Sequence, residues 1–109
     1  MIPVVVVIPT YNESESIRSL LTRLDMARKS ISQKFDIDIL LVDDDSPDKT
    51  ADIAKSMNLS GFSILNRKVK SGLGPAYLAG FKQGLIGNYQ YFVEMDADLS
   101  HQPEQLVDL

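Results

Sequence analysis

The sequence contains no cysteine among its 109 residues. Disulfide bonds, thiolate metal sites and cysteine nucleophiles are therefore excluded together, and the absence is compatible with a reducing compartment. Basic residues are also scarce, because 11 Lys and Arg stand against 15 Asp and Glu, which gives a net charge of -4. This is the wrong sign for a protein that neutralises a run of phosphates, so we expect no nucleic-acid partner.

Long apolar runs are missing as well. The longest unbroken apolar segment, Val4 to Ile8, is far shorter than the roughly 20 residues that cross a bilayer. Met1 is followed by no basic segment and no small-residue cleavage site, so we expect no leader peptide. With 44% hydrophobic and 24% charged residues, the composition is that of an ordinary globular protein, and the length suits one domain or part of one.

What the sequence does contain is a regular alternation of β-branched runs and amphipathic segments. The runs predict four strands, at Val4–Ile8, Ile37–Val42, Phe62–Leu65 and Tyr89–Met95. Helices are predicted from an Asn12–Glu15 capping box to about Gln33, from a Ser46–Pro47 cap to about Met57, at Ala76–Ile86, and from near Pro103 after a Ser100 cap. This alternation over short connections predicts a parallel α/β sheet with right-handed crossovers.

Acidic residues directly follow two of the predicted strands. Asp43, Asp44 and Asp45 come after the second strand, and Asp96 and Asp98 come after the fourth. In an open parallel sheet, ligands bind beyond the carboxyl ends of the strands. Carboxylates two residues apart in an extended segment point the same way, so we expect the second pair to share a hard divalent cation such as Mg²⁺ or Mn²⁺.

Four segments, in order along the chain, resemble the motifs of the family 2 glycosyltransferases, and most of all those of the dolichyl-phosphate mannosyltransferases. They are Val-Ile-Pro-Thr-Tyr-Asn-Glu at 7–13, Val-Asp-Asp-Asp-Ser-Pro-Asp at 42–48, Gly-Leu-Gly-Pro-Ala-Tyr at 72–77 and Met-Asp-Ala-Asp-Leu-Ser-His at 95–101. The resemblance implies a GT-A-type, Rossmann-like sheet with flanking helices, truncated after its fourth strand. Residues 1–109 would form the donor-binding part of a single glycosyltransferase domain.

The resemblance also implies a reaction, the metal-dependent and inverting transfer of mannose from GDP-mannose to a dolichyl or polyprenyl phosphate. Matched motif by motif, it implies a donor site at Pro9, Tyr11, Glu13, Val42, Asp44, Asp96, Ala97 and Asp98. The first five would contact the nucleoside, and the last three the diphosphate. The Mg²⁺ or Mn²⁺ ion would be held by Asp96, Asp98 and Ser100. We assign no catalytic base, because a phosphomonoester acceptor is already ionised near neutral pH.

Further expectations follow from the same resemblance. The family's acceptor-side half lies beyond Leu109, and a membrane-anchoring subunit or segment is expected outside this chain. We expect a cytoplasmic location, at the cytosolic face of a membrane. Three residues depart from the family pattern: Lys49 replaces a usual glycine, Asp45 a frequent glycine or asparagine, and Pro75 a usual threonine.

Two alternatives are open from the sequence. One is a non-catalytic lobe that binds a nucleotide sugar and needs another half. The other is a two-component receiver domain, in which Asp43 and Asp44 form the acidic cluster and Asp96 accepts the phosphoryl group. The complete strand and helix that precede the cluster disfavour the receiver domain. A dinucleotide-binding site is excluded, since Gly72 and Gly74 lack a third glycine at 77.

Other polar residues are expected to have structural roles. We predict that Asp43 braces its turn, and that Asp45 and Asp48 are first-turn or solvated acids. The cations of the loop at 66–74 are Arg67, Lys68 and Lys70, which we expect to be solvated. His101 has no Cys or His partner nearby in the sequence, so we do not expect it to bind a metal.

Overall fold

A computed structural model describes residues 1–67, 82, 88–99 and 102–108 of the chain. The strands are β1 (Ile2–Thr10), β2 (Phe35–Asp43), β3 (Phe62–Asn66) and β4 (Tyr91–Glu94). Two α-helices, α1 (Ile17–Ser30) and α2 (Thr50–Ser56), and a 3₁₀ helix (Pro103–Asp108) are the other elements that the structure describes.

The four strands form one sheet in the order β3-β2-β1-β4, and each neighbouring pair is parallel. The predicted parallel α/β sheet is thus confirmed. Val4 to Ile8 of β1 are all buried, with at most 1% exposure, as expected for a central parallel strand covered on both faces. Because all four strands run the same way, their carboxyl ends lie at one edge of the sheet, called here the carboxyl edge. The opposite edge is called the amino edge.

The larger hydrophobic cluster lies where α1 packs on the sheet. The predicted apolar face of α1 is confirmed, since Ile17, Leu20, Leu21 and Leu24 are fully buried in this cluster. Burying each such side chain contributes about 1.5–3 kcal/mol. This packing fixes the start of α1. It therefore also fixes the end of the β1–α1 connection that leads into the helix.

The starts of both helices differ from the prediction. The N-cap of α1 is Ser16 and not Asn12, whose φ of 56° is left-handed. Helix α2 begins at Thr50, with Lys49 as N-cap, and not at Ser46. The reason is a competing contact, since the backbone N–H of Asn12 donates to the Ser46 hydroxyl. Asn12 and Ser46 are therefore bonded to each other across the two loops, and neither caps the predicted helix.

Other boundaries also shift. Strand β1 continues through Pro9 to Thr10, and proline is tolerated there because β4 pairs only with Val4–Val7. Strand β4 is shorter than predicted, and the segment from Pro103 is a 3₁₀ helix instead of an α-helix. Several predicted features lie outside the described residues: the helix at 76–86 apart from Lys82, and Lys68, Lys70, Gly72, Gly74, Pro75, Ser100 and His101.

A buried arginine organises the amino edge. Arg28, in the last turn of α1, is 7% exposed and pairs with Asp25 at 2.8 Å. Its guanidinium also donates to the backbone carbonyl of Ile37 at 2.9 Å and to those of Ser60 and Gly61. These bonds connect α1 to the starts of β2 and β3. The guanidinium thus has a structural role, as its donors are committed to the chain itself.

Candidate functional site

Three segments meet at the carboxyl edge: the β1–α1 loop at 11–16, the β2–α2 loop at 44–49 and the turn at 95–99 after β4. Strand β1 has β2 on one side and β4 on the other. Open α/β sheets bind ligands in the crevice where strand order changes in this way. The segments contain all the predicted site residues that the structure describes, except Pro9 and Val42, which lie near the ends of their strands.

Asp43, the last residue of β2, ties the strand ends together. One carboxylate oxygen accepts hydrogen bonds from the hydroxyls of Thr10 at 2.7 Å and Ser46 at 2.6 Å. The other oxygen accepts the backbone N–H of Ser46 at 3.0 Å, and the residue is 2% exposed. The prediction that Asp43 braces its turn is confirmed.

Three consecutive backbone N–H groups of the β1–α1 loop bond to side chains that follow β2. The N–H groups of residues 12, 13 and 14 donate to the Ser46 hydroxyl, the Thr50 hydroxyl and the Asp48 carboxylate, each at 3.0 Å. Thr50 is fully buried, and its hydroxyl and N–H both donate to the second oxygen of Asp48. We call these bonds, between residues 12–14 and the side chains of Ser46, Asp48 and Thr50, the interloop clamp.

The clamp corrects the expectation for Asp48. This residue precedes α2 and is neither a first-turn acid nor freely solvated, whereas Asp52 is the acid of the first turn. Burial alone would raise the pKa of Asp48, but hydrogen bonds from Thr50 and Ser14 outweigh that effect and lower the pKa below its ordinary value. Asp45, in contrast, is exposed, as predicted.

The clamp also determines what the β1–α1 loop can bind. Consecutive N–H groups at the start of a helix commonly form a site for phosphate or another anion. Here the N–H groups of residues 12–14 already donate to oxygens of the β2–α2 segment. The phosphates of a ligand at this edge must therefore be bound by other groups.

Asp44 and Arg67 form an ion pair beside the clamp. The Asp44 N–H donates to the Thr10 carbonyl at 3.0 Å, and its buried carboxylate has one oxygen 3.5 Å from the Arg67 guanidinium. The prediction that Arg67 is solvated is wrong, since its side chain is 20% exposed and paired. Among the described residues, no group donates a hydrogen bond to that Asp44 oxygen. The ion pair with Arg67 is thus the contact that offsets the burial of this oxygen.

Pro9 and Val42 occupy matching positions in β1 and β2. Both are buried, and the Val42 side chain belongs to a second hydrophobic cluster with Leu40. Tyr11, the first residue after β1, is half-buried. The nucleoside contacts expected of all three stay predictions.

The turn after β4 carries the two predicted metal ligands. Asp96 is half-buried and Asp98 is exposed, while Ala97 between them is buried. The hydroxyl of Ser16, the N-cap of α1, donates to the Ala97 carbonyl at 2.9 Å. This bond holds the carboxylate pair against the start of α1 and the β1–α1 loop.

Glu13 experiences the negative charge of this turn. Burial, followed by the charge of Asp98, raises the pKa of Glu13, although a hydrogen bond from the Ser16 hydroxyl opposes the shift. The negative charge of Asp98 is therefore close enough to disfavour the ionised form of Glu13. A cation bound near Asp98 would relieve this repulsion.

The two aspartates fit a hard cation that is shared with a ligand. Within the described part of the chain, no three His, Cys, Asp or Glu side chains come together as a metal site of their own. Mg²⁺ commonly binds to only one or two carboxylates and completes its shell with water and substrate phosphates. Asp96 and Asp98 supply that donor set, whereas Ser100, the third predicted ligand, lies outside the described residues.

Sequence reasoning assigned Ser46 and Asp48 to other roles and did not identify Thr50 or Ser16. Ser46, Asp48 and Thr50 lie in a turn that leads into α2, so their spacing carries no periodic signal. The partners of these side chains are backbone N–H groups that lie 34 to 37 residues away, and backbone groups leave no trace in a sequence.

Residues 5–109 match the model of glycosyl transferase family 2. The match spans nearly the whole chain, including every residue predicted for the donor site. The chain belongs to glycosyl transferase family 2. The alternative of a two-component receiver domain is thereby rejected, and the structure agrees, because both oxygens of Asp43 are committed to Thr10 and Ser46.

Curated relatives share the family and are longer. The chain is 50% identical over 105 residues to an undecaprenyl-phosphate mannosyltransferase of Micrococcus luteus, covering 94% of this chain and 41% of that protein. It is 44% identical over 104 residues to a polyprenol monophosphomannose synthase of Mycolicibacterium smegmatis, covering 93% and 37%. A dolichol-phosphate mannosyltransferase of Pyrococcus furiosus is 38% identical over 105 residues, covering 95% and 28%. The chain thus spans well under half the length of these relatives.

Among the described residues, no helix combines the length and the apolar character that a bilayer crossing requires.

Proposed function

We propose that this chain is the donor-binding part of a glycosyltransferase that moves mannose from GDP-mannose to a polyprenyl phosphate, with inversion at the sugar. The names of the three relatives support the transferred sugar and the class of acceptor, since they specify mannose and undecaprenyl, polyprenol or dolichol phosphates. The similarity covers most of this chain, including the three segments at the carboxyl edge.

The observation that carries the proposal is the placement of the Asp96-Ala97-Asp98 turn. The Ser16 hydroxyl fixes this turn beside the β1–α1 loop, where Glu13 already has a raised pKa. A Mg²⁺ or Mn²⁺ ion held by Asp96 and Asp98 would stabilise the charge that develops on a departing nucleoside diphosphate. The interloop clamp supports this assignment, because it leaves no N–H group of residues 12–14 for the phosphates.

Asp44 supports a guanosine donor on the other side of the crevice. Its carboxylate follows β2 directly at the carboxyl edge, where one oxygen is 3.5 Å from the Arg67 guanidinium. Guanine carries N–H donors on one edge of the ring, and a carboxylate can accept them. Tyr11 and Glu13 lie on the neighbouring loop, so the proposed nucleoside pocket has Asp44 on one wall and these two residues on the other.

Calorimetry with GDP and Mn²⁺ tests the donor site directly. We expect the 109-residue chain to bind GDP weakly in the presence of the metal, and to lose that binding when Asp96→Ala and Asp98→Ala are combined. Asp36→Ala with Asp52→Ala is the matched control, because it removes two exposed carboxylates from other parts of the chain. Equal GDP binding by the wild type and the Asp96 and Asp98 double variant would refute the proposed site.

A non-catalytic nucleotide-binding lobe shares the same donor site, so binding alone does not separate it from an enzyme. The distinguishing measurement is transfer of labelled mannose from GDP-mannose to dolichyl phosphate. We expect little or no transfer by the 109 residues alone, since the relatives are more than twice as long. We expect transfer by a longer protein that contains these residues and has the length of the relatives. A longer protein that binds GDP but transfers no mannose would favour the non-catalytic lobe.

A further inference from the structure

We propose that Asp48 and Thr50 are positioning residues of the donor site. They hold the β1–α1 loop in the conformation in which Tyr11 and Glu13 form one wall of the pocket, and they do so through the backbone and without contact to the nucleotide. This inference rests on the proposed function, because it concerns affinity for the nucleotide.

The first step is the position of the clamp between the two walls. Asp44 lies two residues after Val42 and four residues before Asp48, so the β2–α2 loop carries one wall together with the side chains of the clamp. The other wall is the β1–α1 loop, whose N–H groups at residues 13 and 14 donate to Thr50 and Asp48. The distance between the walls is therefore set by these bonds.

The second step is that both loops contain left-handed backbone. Asn12, Asp45 and Lys49 have φ values of 56°, 55° and 66°. Asparagine and aspartate tolerate this region, whereas lysine rarely adopts it. Such conformations persist where the surrounding structure over-determines them. The clamp includes the N–H of Asn12, and its side chains at Asp48 and Thr50 lie on either side of Lys49. Its bonds therefore hold both loops in these backbone conformations.

The third step is that each clamp side chain serves two elements at once. One oxygen of Asp48 accepts the N–H and the hydroxyl of Thr50, and the other accepts the N–H of Ser14 at 3.0 Å. The Thr50 hydroxyl accepts the N–H of Glu13 at 3.0 Å while it donates to Asp48. Asparagine at 48 has a single carbonyl oxygen and can satisfy only one of the two sides.

The first experiment compares Asp48→Asn with Asp52→Asn, using calorimetry with GDP and Mn²⁺ on the 109-residue chain. Both variants lose one negative charge near the start of α2, but Asp52 is exposed and takes no part in the clamp. We expect GDP affinity to fall about tenfold for Asp48→Asn, the effect of losing one charge-assisted hydrogen bond, and to be unchanged for Asp52→Asn. Backbone amide exchange of Ser14, measured by NMR without nucleotide, should accelerate only in Asp48→Asn.

The second experiment separates positioning from stability at Thr50. Thr50→Val keeps the shape of this fully buried side chain and removes the hydroxyl, whereas Thr50→Ser keeps the hydroxyl and removes a methyl group. We expect Thr50→Val to bind GDP more weakly than the wild type. Thr50→Ser should bind GDP as tightly as the wild type, although the serine variant loses apolar contacts. Urea denaturation confirms which variants are folded under the binding conditions.

Three outcomes are distinguishable. The inference is supported if Asp48→Asn and Thr50→Val bind GDP more weakly than the wild type while Thr50→Ser binds it as tightly. If the wild type binds GDP and the folded Asp48→Asn and Thr50→Val variants bind it with the same affinity, the inference is overturned. The proposed donor site then stays intact. Failure of the wild type to bind GDP with the metal overturns the donor site itself, and the positioning role falls with it.

Discussion

The two edges of the sheet differ in how far their charged side chains are neutralised within the chain. At the amino edge, Arg28 and Asp25 neutralise each other, and the guanidinium satisfies the carbonyls at the starts of β2 and β3. At the carboxyl edge, acidic side chains outnumber basic ones among the described residues. Its acids are Glu13, Glu15, Asp43, Asp44, Asp45, Asp48, Asp96 and Asp98, and its bases are Lys49 and Arg67. The first edge is balanced within the chain, and the second has negative charge that a cation would offset.

The edges also differ in which residues adopt left-handed backbone. Near the amino edge, positive φ values occur at Asn58, Gly61 and Asn88, residue types that tolerate them. At the carboxyl edge they occur at Lys49 and Leu99 as well as at Asn12 and Asp45. Strain of this kind collects at functional sites, where geometry is kept at a cost in stability. The comparison therefore places residue types that tolerate left-handed backbone at the amino edge, and the less tolerant Lys49 and Leu99 at the carboxyl edge.

The strongest way to break this comparison is to remove Arg28. We expect Arg28→Met to lower the free energy of unfolding by about 3–5 kcal/mol, because buried carbonyls and a carboxylate lose their partner. Urea denaturation measures this loss. At a temperature where the variant stays folded, its affinity for GDP with Mn²⁺ should equal that of the wild type. Loss of GDP binding by the folded variant would show that the two edges are not separate in function.

A smaller effect is expected from the partner of Arg28. Burial alone would raise the pKa of Asp25, but hydrogen bonds from Lys29 and Arg28 outweigh it and lower the pKa below 3.8. A lowered pKa means that Asp25 contributes stability above 3.8, and that this contribution disappears as the pH falls through the lowered value. Asp25→Asn should therefore cost about 2 kcal/mol at neutral pH and less in acid.

Denaturation curves at neutral pH and at pH values below 3.8 check this prediction for Asp25. Asp36→Asn is the control, because Asp36 is an exposed carboxylate near the same edge. A stability difference between wild type and Asp25→Asn that stays constant across the range would contradict the ionic role of this side chain.

The smallest effect has the opposite sign and tests the strain at the carboxyl edge. Lys49 has a φ of 66°, so Lys49→Gly should raise the free energy of unfolding by about 1 kcal/mol. Lys55→Gly is the matched control, since Lys55 is exposed inside α2 and glycine there should lower stability by about 1 kcal/mol. If both variants lose stability, the backbone at Lys49 is not strained.

The sequence predicted the parts of this molecule that depend on regular patterns. The buried run at Val4–Ile8 and the 3.6-residue spacing from Ile17 identified β1 and the apolar face of α1 correctly. The order of strands and helices was sufficient to predict a parallel sheet, and so to place Asp44 and Asp96 at one edge. Periodicity determines these features because each arises from residues that are near one another in the sequence.

What the sequence could not predict depends on partners that are distant along the chain. Asn12 and Ser46 match the local rules for helix caps, yet they bond to each other and not to their own helices. Arg67 matches the composition of a solvated loop, yet it pairs with Asp44. In each case a tertiary hydrogen bond or ion pair outcompetes a local preference of similar size, and a single sequence does not show which contact wins.

The separation of bonded residues along the chain also gives the carboxyl edge an order of assembly. The clamp joins residues 34 to 37 apart, whereas the bond from Ser16 to Ala97 closes a segment of 81 residues. Closing the longer segment costs about 0.7 kcal/mol more in chain entropy. During synthesis, the two loops can lock together once α2 has emerged, while the Asp96-Ala97-Asp98 turn must wait until β4 pairs with β1. The contacts between the two loops therefore form early, and the Asp96-Ala97-Asp98 turn is the last of the described segments to join the carboxyl edge.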